Sequence, residues 1–181
     1  MSSIYKGGIG LFGGSFDPPH LGHLKVSNIS IKKLNLNKLY WVVTKKNPFK
    51  KKTLFSLKNR ITKAKRISKK NKAIKIIYLE DKVKSSRFIK VINYFLKKYK
   101  KKDLYLVIGS DNLINFHKWT SWKKIVKITK LVVFPRKEYD KKSKKSVVVK
   151  YLKKKNIIFI KSKKINISSS KIRYKLIKRF R

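Results

Sequence analysis

Cysteine is absent from these 181 residues, which excludes disulfides, thiolate metal sites, zinc fingers and a cysteine nucleophile, and fits a reducing compartment. Acidic residues are almost as scarce. Seven Asp and Glu stand against 52 Lys and Arg, so a dedicated carboxylate cage for a metal ion is not expected. No run approaches the roughly 18 apolar residues of a membrane span, and the N-terminal MSSIYKGGIGLF lacks a charged-then-apolar leader layout. The expected location is therefore cytoplasmic, with no membrane partner. Only 7 Gly and 4 Pro occur, no Gly- or Pro-rich linker divides the chain, and no internal repeat is visible, so residues 1–181 are expected to form a single domain.

What is present is 41% hydrophobic and 12% aromatic residues, enough to bury a core despite a formal charge of +45. The charge has a bland source. It comes from 45 Lys and only 7 Arg, while Ala is confined to positions 64 and 73, a bias that an AT-rich coding sequence produces. The basic residues are spread over every segment instead of forming one stripe, so no specific nucleic-acid partner is expected, although non-specific binding at low salt is.

Short β-branched or aromatic runs alternate with longer amphipathic ones, the pattern of βαβ units and a parallel sheet. Residues 9–12, 39–44, 74–79, 104–108 and 131–134 read as strands, with 157–160 as a sixth; most are continuous apolar runs suited to a sheet covered on both faces. Residues 21–34, 57–68, 87–99 and 122–127 carry apolar residues at helical spacing and serve as crossover helices. Val91, Ile92, Phe95, Leu96 and Tyr99 form the clearest stripe, a packing face. Residues 139–155 fit either helix or strand. The expected fold is a Rossmann-like, doubly wound α/β domain with a mostly parallel five- or six-stranded sheet.

The chemistry concentrates directly after the first strand, in Gly13-Gly14-Ser15-Phe16-Asp17-Pro18-Pro19-His20-Leu21-Gly22-His23. Paired glycines let the backbone approach a ligand, and the following helix start offers free N–H groups and a positive dipole end, a natural place for phosphate. Two imidazoles three residues apart in the first helical turn face the same way and can both donate to one phosphate. Gly-Gly alone is only a turn, and His pairs at this spacing often do nothing or bind a metal. Here the turn, the helix start and HxGH coincide at a strand's C-terminal end, where open α/β sheets place their ligand crevice. The segment is neither a Walker A loop nor the dinucleotide GxGxxG pattern.

Two later segments read similarly. Gly109 and Asp111 follow the fourth strand, where a carboxylate can accept from ribose hydroxyls, or Asp111 can simply cap the next helix. Ser168, Ser169 and Ser170 cap an expected C-terminal helix over 171–179, where hydroxyls, free N–H groups and Arg173 can converge on a triphosphate. Trp119 offers a flat indole that either packs in the core or stacks on an aromatic base.

GGSFDPPHLGH, the IGSDNL segment (108–113) followed by Phe116-His117-Lys118-Trp119, and ISSSKIR (167–173) together resemble the HxGH nucleotidyltransferases, and within them the bacterial nicotinate-nucleotide adenylyltransferases. Ser170 stands where that family carries Thr. The resemblance implies adenylyl transfer from ATP to nicotinate mononucleotide, giving nicotinate adenine dinucleotide and pyrophosphate in NAD biosynthesis. It implies catalytic roles for His20, His23 and Arg173. ATP contacts would come from Gly13, Gly14, Ser15, Phe16, His20, His23, Gly109, Asp111, Ser169, Ser170 and Arg173, the part of the chain from about 136 to 181 completing that site. Mg²⁺ would be held mainly by ATP phosphates and water. On the mononucleotide side it implies that Trp119 stacks on the pyridine ring, that nearby backbone N–H groups meet the carboxylate, and that Asn47 and Lys50 lie on the substrate loop. Arg60 sits where the family often carries an Arg. One departure stands out: where the family has a Thr-containing stretch this chain reads Ser85-Ser86-Arg87-Phe88-Ile89, with Ser86 as the available hydroxyl. Trp41 and Trp122 are expected to be structural. The competing readings are a sibling enzyme adenylating nicotinamide mononucleotide or phosphopantetheine, and a basic nucleic-acid-binding protein. The number of subunits, monomer or homo-oligomer, is left open.

Overall fold

A computed structural model of the chain describes residues 7–45, 53–100, 102–136, 138–153, 155–162 and 167–179. Six strands, β1 (Gly8–Gly14), β2 (Leu36–Val43), β3 (Ile74–Ile77), β4 (Leu104–Gly109), β5 (Lys130–Phe134) and β6 (Ile157–Phe159), form one sheet in the order β3-β2-β1-β4-β5-β6. Every described pairing is parallel. Helices α1 (Leu21–Lys33), α2 (Leu57–Ser68), α3 (Phe88–Lys98), α4 (Ser110–Asn115), α5 (Trp122–Ile128), α6 (Asp140–Lys144), α7 (Val147–Leu152) and α8 (Ser169–Arg179) lie between and after them, with a 3₁₀ turn at Phe116–Lys118.

The two-residue period of the strands sorts one apolar run into two cores. Tyr40 and Val42 on β2, Leu104, Leu106 and Ile108 on β4, and Leu131 and Val133 on β5 share one cluster with Ile92 and Phe95 of α3, Ile125 of α5 and Val148 of α7. Their neighbours Leu39, Trp41, Val43, Tyr105, Val107, Val132 and Phe134 pack on the other face, with Val26 of α1 and Ala64 of α2. A strand buried on both faces has no polar side to alternate with, so it reads as a continuous hydrophobic run.

β2 starts at Leu36, three residues before the expected 39, because its first residues pair with β1 directly after α1, through an Asn35 with φ of 47°. β3 stops at Ile77, and Leu79 leaves the sheet to enter the core from the following segment. The segment expected as either helix or strand holds the short helices α6 and α7, with Val148 and Leu152 buried four residues apart.

The chain runs from β1 outward to β2 and β3, then returns to β4 on the other side of β1. This reversal opens a crevice between the C-terminal ends of β1 and β4, the place where a doubly wound sheet accepts ligands.

Candidate active site

A cavity of about 390 Å³ occupies that crevice. Gly13 and Gly14 line it from the end of β1, Ser15 and Phe16 from the loop that follows, and His20 and His23 from the start of α1. Gly109 and Asp111 line it from β4 and α4, Ser86 and Trp119 from the opposite wall, and Ser169 and Ser170 from the start of α8. Four segments far apart in sequence, around 13–23, 86, 109–119 and 169–170, therefore meet on one space. Asn47 and Lys50 lie outside the described residues.

The loop after β1 is held rigidly. Gly13 has no room for a side chain, since a Cβ there would lie 2.6 Å from the ring of Phe88. Phe16 adopts a left-handed φ of 47°, a conformation costly for a bulky residue, and is kept in it by a buried ring stacked on Trp41 at 4.9 Å. Trp41 is fully buried and donates to Ser27 Oγ at 2.7 Å, a structural role as expected. Asp17, also buried, accepts from the backbone N–H groups of Leu54 and Phe55, both at 2.9 Å.

His20 is the N-cap of α1, and its ring lies 3.8 Å from that of His23. The backbone N–H of His20 donates to Nδ1 of His23 at 3.2 Å, and an Nδ1 that accepts carries the ring proton on Nε2. Neither ring nitrogen of His20 has a hydrogen-bond partner among the described residues, although the ring is buried. A buried polar atom without a partner inside a cavity is a mark of a ligand site.

Burial, aided by the nearby Arg136 guanidinium, lowers the His20 pKa from 6.5 to about 4. The fold thus favours the neutral ring. Its stabilisation is complete above about pH 6.5 and is lost as pH falls toward 4, amounting to about 3 kcal/mol for a shift of this size. Urea unfolding at pH 7 and pH 4 should show the wild type losing about that much more stability than His20→Asn. Equal losses in the two proteins would show that the ring charges without penalty.

Arg136 belongs to none of the three motif blocks. It follows β5 at the same sheet edge, lines the cavity and pairs with Asp111 at 3.1 Å, while its backbone N–H donates to Ser110 Oγ. Asp111 does not cap α4, whose N-cap is Gly109. Its position just past a strand's C-terminal end was the available signal for Arg136.

α8 begins at Ser169, two residues earlier than expected, with the Oγ of Ser168 accepting from the N–H of Lys171 at 3.2 Å. Ser169 Oγ donates to the carbonyl of Pro18 at 3.0 Å. Arg173 donates to the carbonyl of Asp17 and to Ser170 Oγ, and lies 3.6 Å from the Asp17 carboxylate. Arg173 is thus fastened to the loop that carries the His pair and does not line the cavity wall.

Arg60 is 1% exposed and lies behind the same loop. It donates to four carbonyls: Phe55 at 3.1 Å, Thr44 at 2.8 Å, Lys45 at 3.0 Å, and Ser15. Burial works against its charge, and Asp17 and Glu80 act in its favour.

On the opposite wall the indole of Trp119 stacks on buried Phe116, centroids 4.7 Å apart and planes 24° apart. Its ring meets Phe88 edge to face at 5.6 Å. Trp122 packs instead against Tyr151, and His117 turns back to the carbonyl of Ile114 at 3.1 Å.

Residues 11–175 match the cytidylyltransferase-like family model. A probable nicotinate-nucleotide adenylyltransferase of Pelagibacter ubique is 50% identical over 165 residues, 91% of each chain. One from Rhizobium meliloti is 36% identical over 71% of this chain and 68% of its own. Among solved structures, the Plasmodium falciparum nicotinic acid mononucleotide adenylyltransferase complexed with NaAD superposes with a TM-score of 0.73 at 20% identity, covering 93% of this chain and 83% of its own. With these relatives and this site, the chain belongs to the cytidylyltransferase-like family and, within it, to the nicotinate-nucleotide adenylyltransferases.

Proposed function

We propose that the protein transfers the adenylyl group of ATP to the phosphate of nicotinate mononucleotide, releasing pyrophosphate and forming nicotinate adenine dinucleotide for NAD biosynthesis. The observation that carries this reading is the convergence on one crevice of the His20–His23 pair, the start of α8 and the Trp119 indole, in a chain half identical to a curated relative of that name. On this reading the protein works in the cytoplasm on free nucleotides.

The acceptor phosphate is a monoester with a second pKa near 6, so at pH 7 it is already largely dianionic and needs no protein base. The work left to the protein is to hold two anions in line and to stabilise charge that builds on the α-phosphate and the leaving pyrophosphate. His20 and His23 donate to triphosphate oxygens beside the backbone of residues 13–16. Ser169 and Ser170 meet the same triphosphate, Arg173 adds its charge through the loop it braces, and Asp111 faces the ribose.

No group of three or more His, Asp or Glu among the described residues can hold a metal, and Asp111, the one carboxylate on the described cavity wall, is paired with Arg136. These residues fit Mg²⁺ carried by triphosphate oxygens and water, where it would neutralise charge on the transferring and leaving phosphates.

Pyrophosphate release from ATP and Mg²⁺ with nicotinate mononucleotide, compared with phosphopantetheine, tests the reading. Turnover confined to phosphopantetheine, or none at all with salt-dependent DNA binding, would sink it. Trp119 gives the sharper test. Stacking on an aromatic is worth about 1–3 kcal/mol, so Trp119→Ala should raise KM for nicotinate mononucleotide about 5- to 150-fold, with a much smaller change for ATP, and Trp119→Phe should fall between. A large fall in the melting temperature of the ligand-free variant, with equal loss for both substrates, would make Trp119 a packing residue.

A further inference from the structure

The wall opposite the His pair holds two basic side chains to which the resemblance assigns no role. Arg87 and Lys118 both line the cavity, and each directly precedes an aromatic residue that lines it too, Phe88 and Trp119. The two rings form a fixed corner. Phe88 lies over the backbone of Gly13 and meets Trp119 edge to face at 5.6 Å and 70°, while Phe116 backs the indole. Two cations thus share the cavity wall with this aromatic corner.

Neither cation is compensated. Arg87 and Lys118 are exposed, and neither forms an ion pair among the described residues. The one carboxylate among the described lining residues, Asp111, is taken by Arg136. A planar ligand seated against Trp119 would therefore share the cavity with positive charge that has no counterion among the described residues.

We propose that Arg87 and Lys118 set the choice of acceptor, favouring a mononucleotide whose ring bears a carboxylate over one bearing a carboxamide. This rests on the function proposed above and adds to it the residues that read the ring substituent. A carboxylate accepts charge-assisted hydrogen bonds, in bidentate form from a guanidinium. A carboxamide is neutral and accepts only through its one carbonyl oxygen, leaving its NH₂ donors without an acceptor among groups that only donate. The discrimination is the difference between these two affinities. It departs from the expectation that backbone N–H groups alone hold the carboxylate.

The test is the ratio of kcat/KM for nicotinate mononucleotide to that for nicotinamide mononucleotide in the full chain. Arg87→Gln and Lys118→Gln should each lower the ratio about tenfold, and the double variant further. Arg87→Lys and Lys118→Arg, which keep the charge, should retain most of it. Because both side chains are exposed, the wild-type ratio should also fall as salt is raised from about 50 to about 500 mM. Lys70→Gln with Lys72→Gln removes equal charge from the opposite edge of the sheet, so its ratio should stay at the wild-type value. A ratio that the Arg87 and Lys118 neutralisations leave unchanged, or that salt does not move, overturns the proposal and points to the backbone. An equal fall in the Lys70 and Lys72 control assigns the preference to the overall field and overturns it as well. A wild type that turns over neither mononucleotide overturns the function itself, an outcome distinct from a lost preference.

Discussion

Replacing His23 by Ala is expected to lower kcat about 10²–10³-fold, the usual loss when one preorganised donor to a developing anion is removed. The geometry gives the reason. The backbone N–H of His20 occupies Nδ1 of His23, so the imidazole presents an Nε2 proton in a ring held 4.8 Å from Phe16 and 3.8 Å from His20. Such a donor is oriented before the substrate arrives and costs little reorganisation as charge moves onto the phosphates. His20→Ala should produce a fall of the same order, since its buried ring nitrogens lack other partners among the described residues. His23→Gln, which places an N–H near the Nε2 position, should recover part of the loss. Single-turnover pyrophosphate release, with melting curves to confirm folding, measures both effects. A folded His23→Ala enzyme with wild-type kcat would remove the pair from the phosphate clamp.

How far these features were legible in the sequence depends on how local their causes are. β4 and β5 stand out because burial on both faces makes them unbroken apolar runs. The start of β2 at Leu36 does not, since Asn37 and Lys38 look like loop and only pairing with β1 makes them strand. Residues 147–149 are all valine, a β-branched run that suggests strand, yet they open α7 because packing of Val148 and Leu152 overrides propensity. In the site, the residues of GGSFDPPHLGH are neighbours in sequence and legible together. Arg136 and Phe88 act through partners 25 or more residues away, and Arg60 ties Ser15, 45 residues before it, to Thr44, so no local spacing announces such contacts. The departure from the family at 85–89 was visible, but not that Phe88 would lie over Gly13 and fill the corner beside Trp119.

Arg60→Met should lower stability by about 4 kcal/mol, or a fall in melting temperature of about 8–16 °C for a chain of this size. Methionine fills much of the same volume, so the loss isolates the polar role from a cavity. The guanidinium fork reaches Ser15 in the loop after β1, Thr44 and Lys45 after β2, and Phe55 before α2. Without it four carbonyls lose a donor at once, at about 1–3 kcal/mol for each that water cannot reach, and buried Asp17 loses a nearby positive charge. Arg60→Lys restores the charge but has donors at a single point, so it cannot span carbonyls from separate loops. It should recover some stability while leaving the loop after β1 less firmly held. Because that loop carries the backbone at Ser15 and leads into the His pair, kcat of Arg60→Lys should fall even at temperatures where it is fully folded. Melting curves and steady-state rates on the two variants separate these effects. An Arg60→Lys protein with wild-type melting temperature and kcat would show that charge alone suffices, and that the fork does not fasten the loops framing the crevice.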